Sequence, residues 1–258
     1  MRSICLAIGI LAFASSFSQA AELRIMNTGV VNPPGLRNVT DAFTKKSGVK
    51  VTIVNTDAPS ALRDFGTVTP AADLIILPVQ QMGDLDFQGG IKPNHFAPLG
   101  RIGIGLWAKA GAPHPDISTL PKLVAVLKSA SVVMYNDPVS GSIPDQYIDT
   151  LLRQPEFAGV KTMKTTGDAV AGLIRRGAGD QNAVALGLVH AVHPGDGEGP
   201  KDAPELVGPL SADLKPYVDM MIAISPRTTD EKDAAALISF MNQPDMIPIW
   251  KQRGMYPY

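Results

Sequence analysis

The sequence predicts an α/β protein with parallel strands, and three observations carry that expectation. Short β-rich runs alternate with amphipathic segments along the chain after residue 21, as repeated strand–helix units do. The run Asp73-Leu74-Ile75-Ile76-Leu77 is almost continuously apolar, as a strand buried on both faces requires. Of the 258 residues, 45% are apolar and 18% charged, which excludes intrinsic disorder, and the 24 Gly and 22 Pro follow no G-X-Y period of a fibrous protein.

Taken in order, residues 23–26 read as a first strand and residues 49–54 as a second. Between them Leu36, Val39 and Phe43 recur at helical spacing until Ser47-Gly48 stops the helix. A shorter helical piece opens at Ala61-Leu62 and runs to Phe65, before the buried strand at 73–77. Residues 101–108, with Gly103 and Gly105 inside them, read as a strand followed by a loop over 111–116. Ser118 then caps a helix carried by Leu120, Leu123, Val124 and Leu127, and residues 131–135 form the next strand. A polar turn over 137–144 opens a helix at Pro144-Asp145, residues 167–176 form another, and 183–189 is a strand. The stretch 193–200 is the most loop-like of the chain. Residues 217–224 read as the last strand, and Thr229 as the N-cap of a final helix that continues to Met241 and stops at Pro244.

The beginning of the chain reads as a secretory leader. Met1-Arg2-Ser3 is a short basic start, residues 4–13 are apolar, and Ser18-Gln19-Ala20 places small residues at −3 and −1. Cleavage before Ala21 leaves 258 − 20 = 238 residues. That apolar run is too short to span about 30 Å of hydrocarbon, and no later stretch approaches the roughly 18 apolar residues of a membrane helix. A soluble, exported protein without stable membrane insertion is therefore expected. The one cysteine, Cys5, lies in the leader, so the mature chain can form no disulfide and has no thiolate.

Charge and motifs exclude several functions. With 23 Lys and Arg against 24 Asp and Glu, and no long basic run, the chain lacks the electrostatic footprint of a nucleic-acid reader. There is no phosphate-cradling glycine loop, dinucleotide fingerprint, zinc-protease helix or nucleophile elbow, so no cofactor is expected. His190 and His193 have an H-x-x-H spacing with Asp196 after them, but Pro194 breaks the segment and no metal site is expected.

The candidate ligand-binding residues sit in turns that precede helices, where free amides and the helix dipole favour an anion. Thr28 and Gly29, after the first strand, offer a hydroxyl and an amide. Ser60 can cap the helical piece it precedes or donate to a ligand, whereas Asp57 beside it reads as a turn or cap residue. Ser140, Gly141 and Ser142 form a second donor set, although Ser142 with Asp145 three residues on also fits a capping box. His190 ends a strand, where it can serve as a structural hydrogen-bonding group, donate to an anion or move a proton near neutral pH. Arg37, Arg63 and Arg101 are the cations nearest these turns and are candidates to clamp a carboxylate.

The residues 42–51 (AFTKKSGVKV), Ala58-Pro59-Ser60-Ala61-Leu62, Ala71-Ala72-Asp73-Leu74-Ile75-Ile76, Asn136-Asp137-Pro138 and Trp250-Lys251-Gln252-Arg253-Gly254-Met255 occur in an order that resembles the periplasmic molybdate-binding type of solute-binding protein, the ligand-capturing component of ABC importers. Residues 111–118 (GAPHPDIS), Val139-Ser140-Gly141 and residues 204–210 (PELVGPL) are similar to the branch that includes bacterial aconitate isomerase. The resemblance implies a two-lobed periplasmic solute-binding fold (type II), with the ligand cleft between the lobes and two crossover segments. Residues 21–99 with 211–258 would form lobe one, and residues 100–210 lobe two. It implies a monomer that captures a small anion, an oxyanion or an organic carboxylate, and hands it to an ABC permease. It also implies hydroxyl contacts at Thr28 and Ser60. His190 stands where molybdate-binding relatives commonly present a Tyr hydroxyl, which weakens molybdate as the ligand. The alternative function is a periplasmic isomerase that shifts an allylic proton between cis- and trans-aconitate, with His190 as its base.

Overall fold

The structure, a computed structural model, describes residues 22–31, 33–175, 180–190 and 202–258. The expected leader and the loop 193–200, with His193 and Asp196 of the H-x-x-H stretch, lie outside the described residues. The first run of elements is β1 (Glu22–Asn27), α1 (Pro33–Ser47), β2 (Lys50–Asn55), α2 (Ala58–Asp64), β3 (Leu74–Pro78) and α3 (Val79–Phe87). The long strand β4 (Phe96–Ala108) leads to α4 (Leu120–Ser129), β5 (Val132–Asn136), α5 (Ile143–Leu152), β6 (Thr162–Thr165), α6 (Ala169–Arg175), β7 (Ala183–Leu188) and β8 (Glu205–Pro209). The chain returns through β9 (Tyr217–Ile224) and ends in α7 (Glu231–Met241), α8 (Ile247–Gln252) and β10 (Met255–Tyr256).

The strands lie in the order β2-β1-β3-β9-β4-β7-β5-β6, with β8 and β10 also paired to β4. Pairing is parallel around β1, with β2 and β3, and around β5, with β6 and β7. The expectation of parallel strands holds for these two sets. It fails for β4 and β9, which pair antiparallel with all their neighbours because they carry the chain between the two sets. The fold is mixed α/β and two-lobed.

Each set is covered on both faces. In β3, Leu74 and Ile76 enter a core with Leu36, Phe43, Leu237 and Trp250 from α1, α7 and α8. The alternate residues Ile75 and Leu77 enter another core with Ala61, Met82 and Leu85 from α2 and α3. This two-sided burial is why the strand reads as a continuous apolar run. In β5, Val133 and Tyr135 face Leu123, Leu127 and Ile148 of α4 and α5, and Val132 and Met134 face Val170 and Leu173 of α6. The cores change hands within β4: Ile102 belongs to the first lobe's core and Ile104 to the second's.

Close backbone packing marks that exchange. A Cβ at Gly105 would stand 2.8 Å from the Gly208 carbonyl oxygen, so no larger residue fits where β8 crosses β4. Gly100 has φ +146, and a Cβ there would stand 2.8 Å from the Tyr256 carbonyl oxygen. The register of β4 on β9 shifts between Pro98 and Gly100, where a bulge bends the strand.

Two capping expectations are corrected. The final helix begins at Glu231 after Asp230, not after Thr229, and Thr228 instead donates its hydroxyl to Asp73 at 2.6 Å. The helix expected after Ser118 begins at Leu120, with Thr119 at its N-cap and no side-chain capping bond, while the Ser118 amide donates to Asp116. The sequence reading did not identify α3, β6, β8, α8 or β10. β6 (TMKT) is mostly exposed and has no apolar alternation, so its strand character comes from pairing to β5.

Trp250 is 1% exposed in the first core and donates its indole N–H to the Met241 carbonyl at 3.0 Å. Trp250→Ala should lower stability by about 3–5 kcal/mol in urea denaturation, the usual cost of such a cavity. An unchanged midpoint would show that α8 is dispensable for that core.

Candidate functional site

A cavity of about 440 Å³ lies at the carboxyl ends of β1, β5 and β7. Ligand sites in open parallel sheets fall at such ends, because the turns into the following helices gather there. One wall is the β1–α1 turn, with Thr28, Gly29, Val30, Pro33 and Pro34. The facing wall joins Asn136 at the end of β5, Ser142, Pro144 and Asp145 at the start of α5, and Asp168 to Val170 at the start of α6. Leu186 to Leu188 and His190, at the end of β7, complete the lining. A second cavity of about 370 Å³ adjoins it, shares Asn136 and Asp145, and adds Asp137, Val139, Ser140 and residues 165–167.

The turn after β1 is held from below by Asn27, which is fully buried. Its amide donates to the Val31 carbonyl at 3.2 Å and to Asn55 Oδ1 at 2.9 Å. Gly29 takes φ +77, a left-handed conformation that turns the chain into α1. The Thr28 hydroxyl oxygen is shielded from solvent and has no hydrogen-bond partner, although Thr28 lines the cavity. A buried polar atom of this kind costs free energy unless something pairs it.

His190 is 5% exposed, and its Nε2 lies 2.6 Å from the Val30 carbonyl oxygen. A carbonyl only accepts, so Nε2 carries the proton and donates. The bond ties the end of β7 to the β1–α1 turn on the opposite wall. A second tie runs between Gln81 of α3, whose amide nitrogen donates to the Gly141 carbonyl at 3.1 Å, and the turn before α5.

Ser140, Gly141 and Ser142 come together at that turn. The Gly141 amide donates to the Pro138 carbonyl at 3.0 Å. The Ser140 hydroxyl donates to Asp145 Oδ2 at 3.4 Å and accepts from the Ser142 amide at 3.3 Å. Ser142 sits at the N-cap of α5 without a side-chain bond to a helix amide, so the capping box is not formed. Asp145 instead collects side-chain hydrogen bonds. Burial raises its pKa above the ordinary aspartate value, bonds from Ser142, Asn136 and Ser140 pull the other way, and the charge of Asp168 adds to the rise.

Ser60 is not part of either cavity lining described above. Its amide and hydroxyl both donate to Asp57, at 2.8 and 2.9 Å, and its hydroxyl accepts from Arg63 at 3.1 Å. Asp57 is the N-cap of α2, as its sequence position suggests. Pro59, beside Ser60, lies against Gly141, where an added Cβ would be 3.4 Å away. None of the arginine clamp candidates lines the cavity. Arg63 pairs with Asp64 at 2.8 Å, Arg101 pairs with Asp219 at 3.2 Å beside the rings of Tyr217 and Tyr258, and Arg37 is exposed on α1.

Sequence reasoning missed Asp168 and Asn136 as wall residues. Asp168 caps α6, its Oδ1 accepting from the Val170 and Ala171 amides at 2.9 and 3.2 Å. Asn136 Oδ1 accepts from the Ala169 amide at 2.8 Å. Each looks like an ordinary cap or strand-end residue in sequence, and only the convergence of α5 and α6 brings them to one cavity.

Asp145 gives a test of this geometry. Its raised pKa means that the folded protein holds the proton more tightly than the unfolded chain. Its contribution therefore favours folding at low pH and is lost as pH rises from the ordinary value of 3.8 through the raised one. Asp145→Asn should remove that decline, so thermal midpoints measured between about pH 4 and pH 7 should fall less, or rise more, in the variant than in the wild type. Parallel pH profiles would contradict the burial of this carboxyl.

Residues 31–256 match the family described as bacterial extracellular solute-binding protein. Aconitate isomerase from Pseudomonas sp is 24% identical over 260 residues, covering 98% of this chain and 95% of that protein. The periplasmic molybdate-binding protein of Azotobacter vinelandii superposes with a TM-score of 0.64 at 15% identity, over 92% of this chain and 99% of that one. The sulfate-binding protein of Mycobacterium tuberculosis superposes with a TM-score of 0.67 at 16% identity, over 92% of this chain and 87% of that one. The match across nearly all of the described residues, on a two-lobed fold with a cavity at the strand ends, places this chain in the bacterial extracellular solute-binding protein family.

Proposed function

We propose that the protein is exported to the periplasm, with its leader removed after Ala20, and there captures a small anion, an oxyanion or an organic carboxylate, for an ABC-type importer. The observation that carries this reading is the Thr28 hydroxyl, shielded and unpartnered in the wall of the cavity. A hydroxyl so placed gains a partner when a ligand oxygen enters. Solved structures with this fold include binding proteins for molybdate and sulfate, which supports an anion as the solute. Among the described residues no helix is long and apolar enough to cross a membrane. Membership of the extracellular solute-binding family supports a permease as the partner that takes over the solute.

In this reading residues 21–99 with 211–258 form one lobe and residues 100–210 the other, and the protein acts as a monomer. The exchange of cores between Ile102 and Ile104 supports a hinge in β4. The bonds of His190 to Val30 and of Gln81 to Gly141 join the opposite walls and would favour the lobe arrangement that encloses a solute. Thr28, Gly29, Ser142 and His190 are the proposed wall contacts. Ser140, Gly141 and Ser60 are proposed to act from the rim.

A second reading is favoured by one observation: His190, the proposed base of an isomerase, does line the cavity. The 24% identity with aconitate isomerase spans 98% of the chain, which supports the same reading. Such an enzyme would remove a proton from the carbon next to one carboxylate, leave an allylic carbanion, and return a proton at its other end.

Calorimetric titration of the mature protein with molybdate, sulfate and citrate should show binding of at least one. Thr28→Ala should weaken it about tenfold, the value of one hydrogen bond to a charged partner. Equal affinity of the two proteins would remove Thr28 from the site. Proton NMR of cis- and trans-aconitate incubated with the protein separates the two readings: interconversion that is lost in His190→Ala establishes the isomerase, and no change in either isomer leaves the binding protein.

A further inference from the structure

The cavity is unusual for an anion site in what it lacks. Among the described residues, no Lys or Arg lines it. Pro33 and Pro34 open α1 and Pro144 lies in the first turn of α5, and all three line the cavity. Proline has no N–H, so the first turns of both helices lose amide donors that a bare oxyanion would use. The Ser140 hydroxyl donates to Asp145 at 3.4 Å.

Acceptors are present in their place. Asp168 spends one carboxylate oxygen, Oδ1, on the Val170 and Ala171 amides that it caps. Among the described residues its other oxygen has no hydrogen-bond partner, Asp168 is exposed and lines the cavity, and a carboxylate oxygen can only accept. Asp145 is buried nearby, and the two like charges interact unfavourably. A fully deprotonated oxyanion would meet this acceptor with repulsion and without a hydrogen bond. A solute that carries hydroxyl protons beside its negative charge would pair it.

We propose that the cavity selects a hydroxycarboxylate, an anion that brings its own hydrogen-bond donor, and that Asp168 is the acceptor that recognises the hydroxyl. This rests on the small-anion reading above and narrows it. Asp168 is exposed in the open wall, and a solute enclosed against it displaces the water on its free oxygen. The analogue without the hydroxyl then leaves that acceptor without a partner, so discrimination comes from the missing partner more than from an added attraction.

The test uses matched pairs, citrate against tricarballylate and malate against succinate, which differ only by a hydroxyl. Sulfate serves as the donor-free inorganic anion. Isothermal titration of the wild-type protein should show at least one hydroxyl-bearing acid binding tenfold or more tightly than its partner and than sulfate. Asp168→Asn keeps an oxygen to cap α6 and replaces the free acceptor by an N–H₂ donor. It should bring the ratio within about threefold, chiefly by weakening the hydroxy acid and strengthening the deoxy analogue, at an unchanged thermal midpoint. Equal binding of both members of each pair by the wild type overturns the inference and leaves the small-anion reading standing. So does a ratio that Asp168→Asn does not alter. Failure of every probe to bind, sulfate included, removes both this inference and the anion reading on which it rests.

Discussion

One strand belongs to both lobes, and the rest of the structure depends on it. β4 is 13 residues long, pairs with β9 and β10 along its first part and with β7 and β8 along its second, and so is the seam of two separate cores. That double duty leaves little room for side chains along the seam, which is why a Cβ at Gly105 would meet the Gly208 carbonyl oxygen at 2.8 Å and one at Gly103 would meet the Val189 side chain at 3.2 Å.

The cavity is a consequence of that seam. On either side of β4 and β9 the parallel strands run so that their carboxyl ends, and the turns into the following helices, meet across a gap. Thr28 arrives from one lobe, and Asn136, Asp145 and Asp168 from the other. His190, at the end of β7, is within 2.6 Å of the Val30 carbonyl across the gap, so a strand end of one lobe is fastened to a turn of the other. The two lobes are thus fastened through a few bonds whose partners lie on opposite walls of the cavity.

The chemistry of the walls is more acceptor-rich than the scaffold by itself implies. Prolines at the starts of α1 and α5 remove amide donors, and Asp145 gathers the side chains of Ser140, Ser142 and Asn136. Asp145 is held at a cost, since burial disfavours its charged form. Groups that are expensive to bury and face a cavity are common at sites where function, not stability, chooses the residue.

The sequence by itself determined the features that depend on local pattern. The two-sided burial of β3, the span of β9, the helix stop at Gly48 and the capping role of Asp57 follow from periodicity, β propensity and turn chemistry within a few residues. It also placed Thr28, Gly29, Ser142 and His190 in strand-to-helix turns or at a strand end, and these line the cavity. Tertiary structure decided what each polar group does there. Ser140 turned to Asp145 across the turn before α5, and Arg101 to Asp219, a partner far away in sequence. The antiparallel course of β4 and β9, and the meeting of Asp145 with Asp168, depend on contacts between residues far apart in the chain. Local spacing carries no record of such contacts, so only the folded chain could set them.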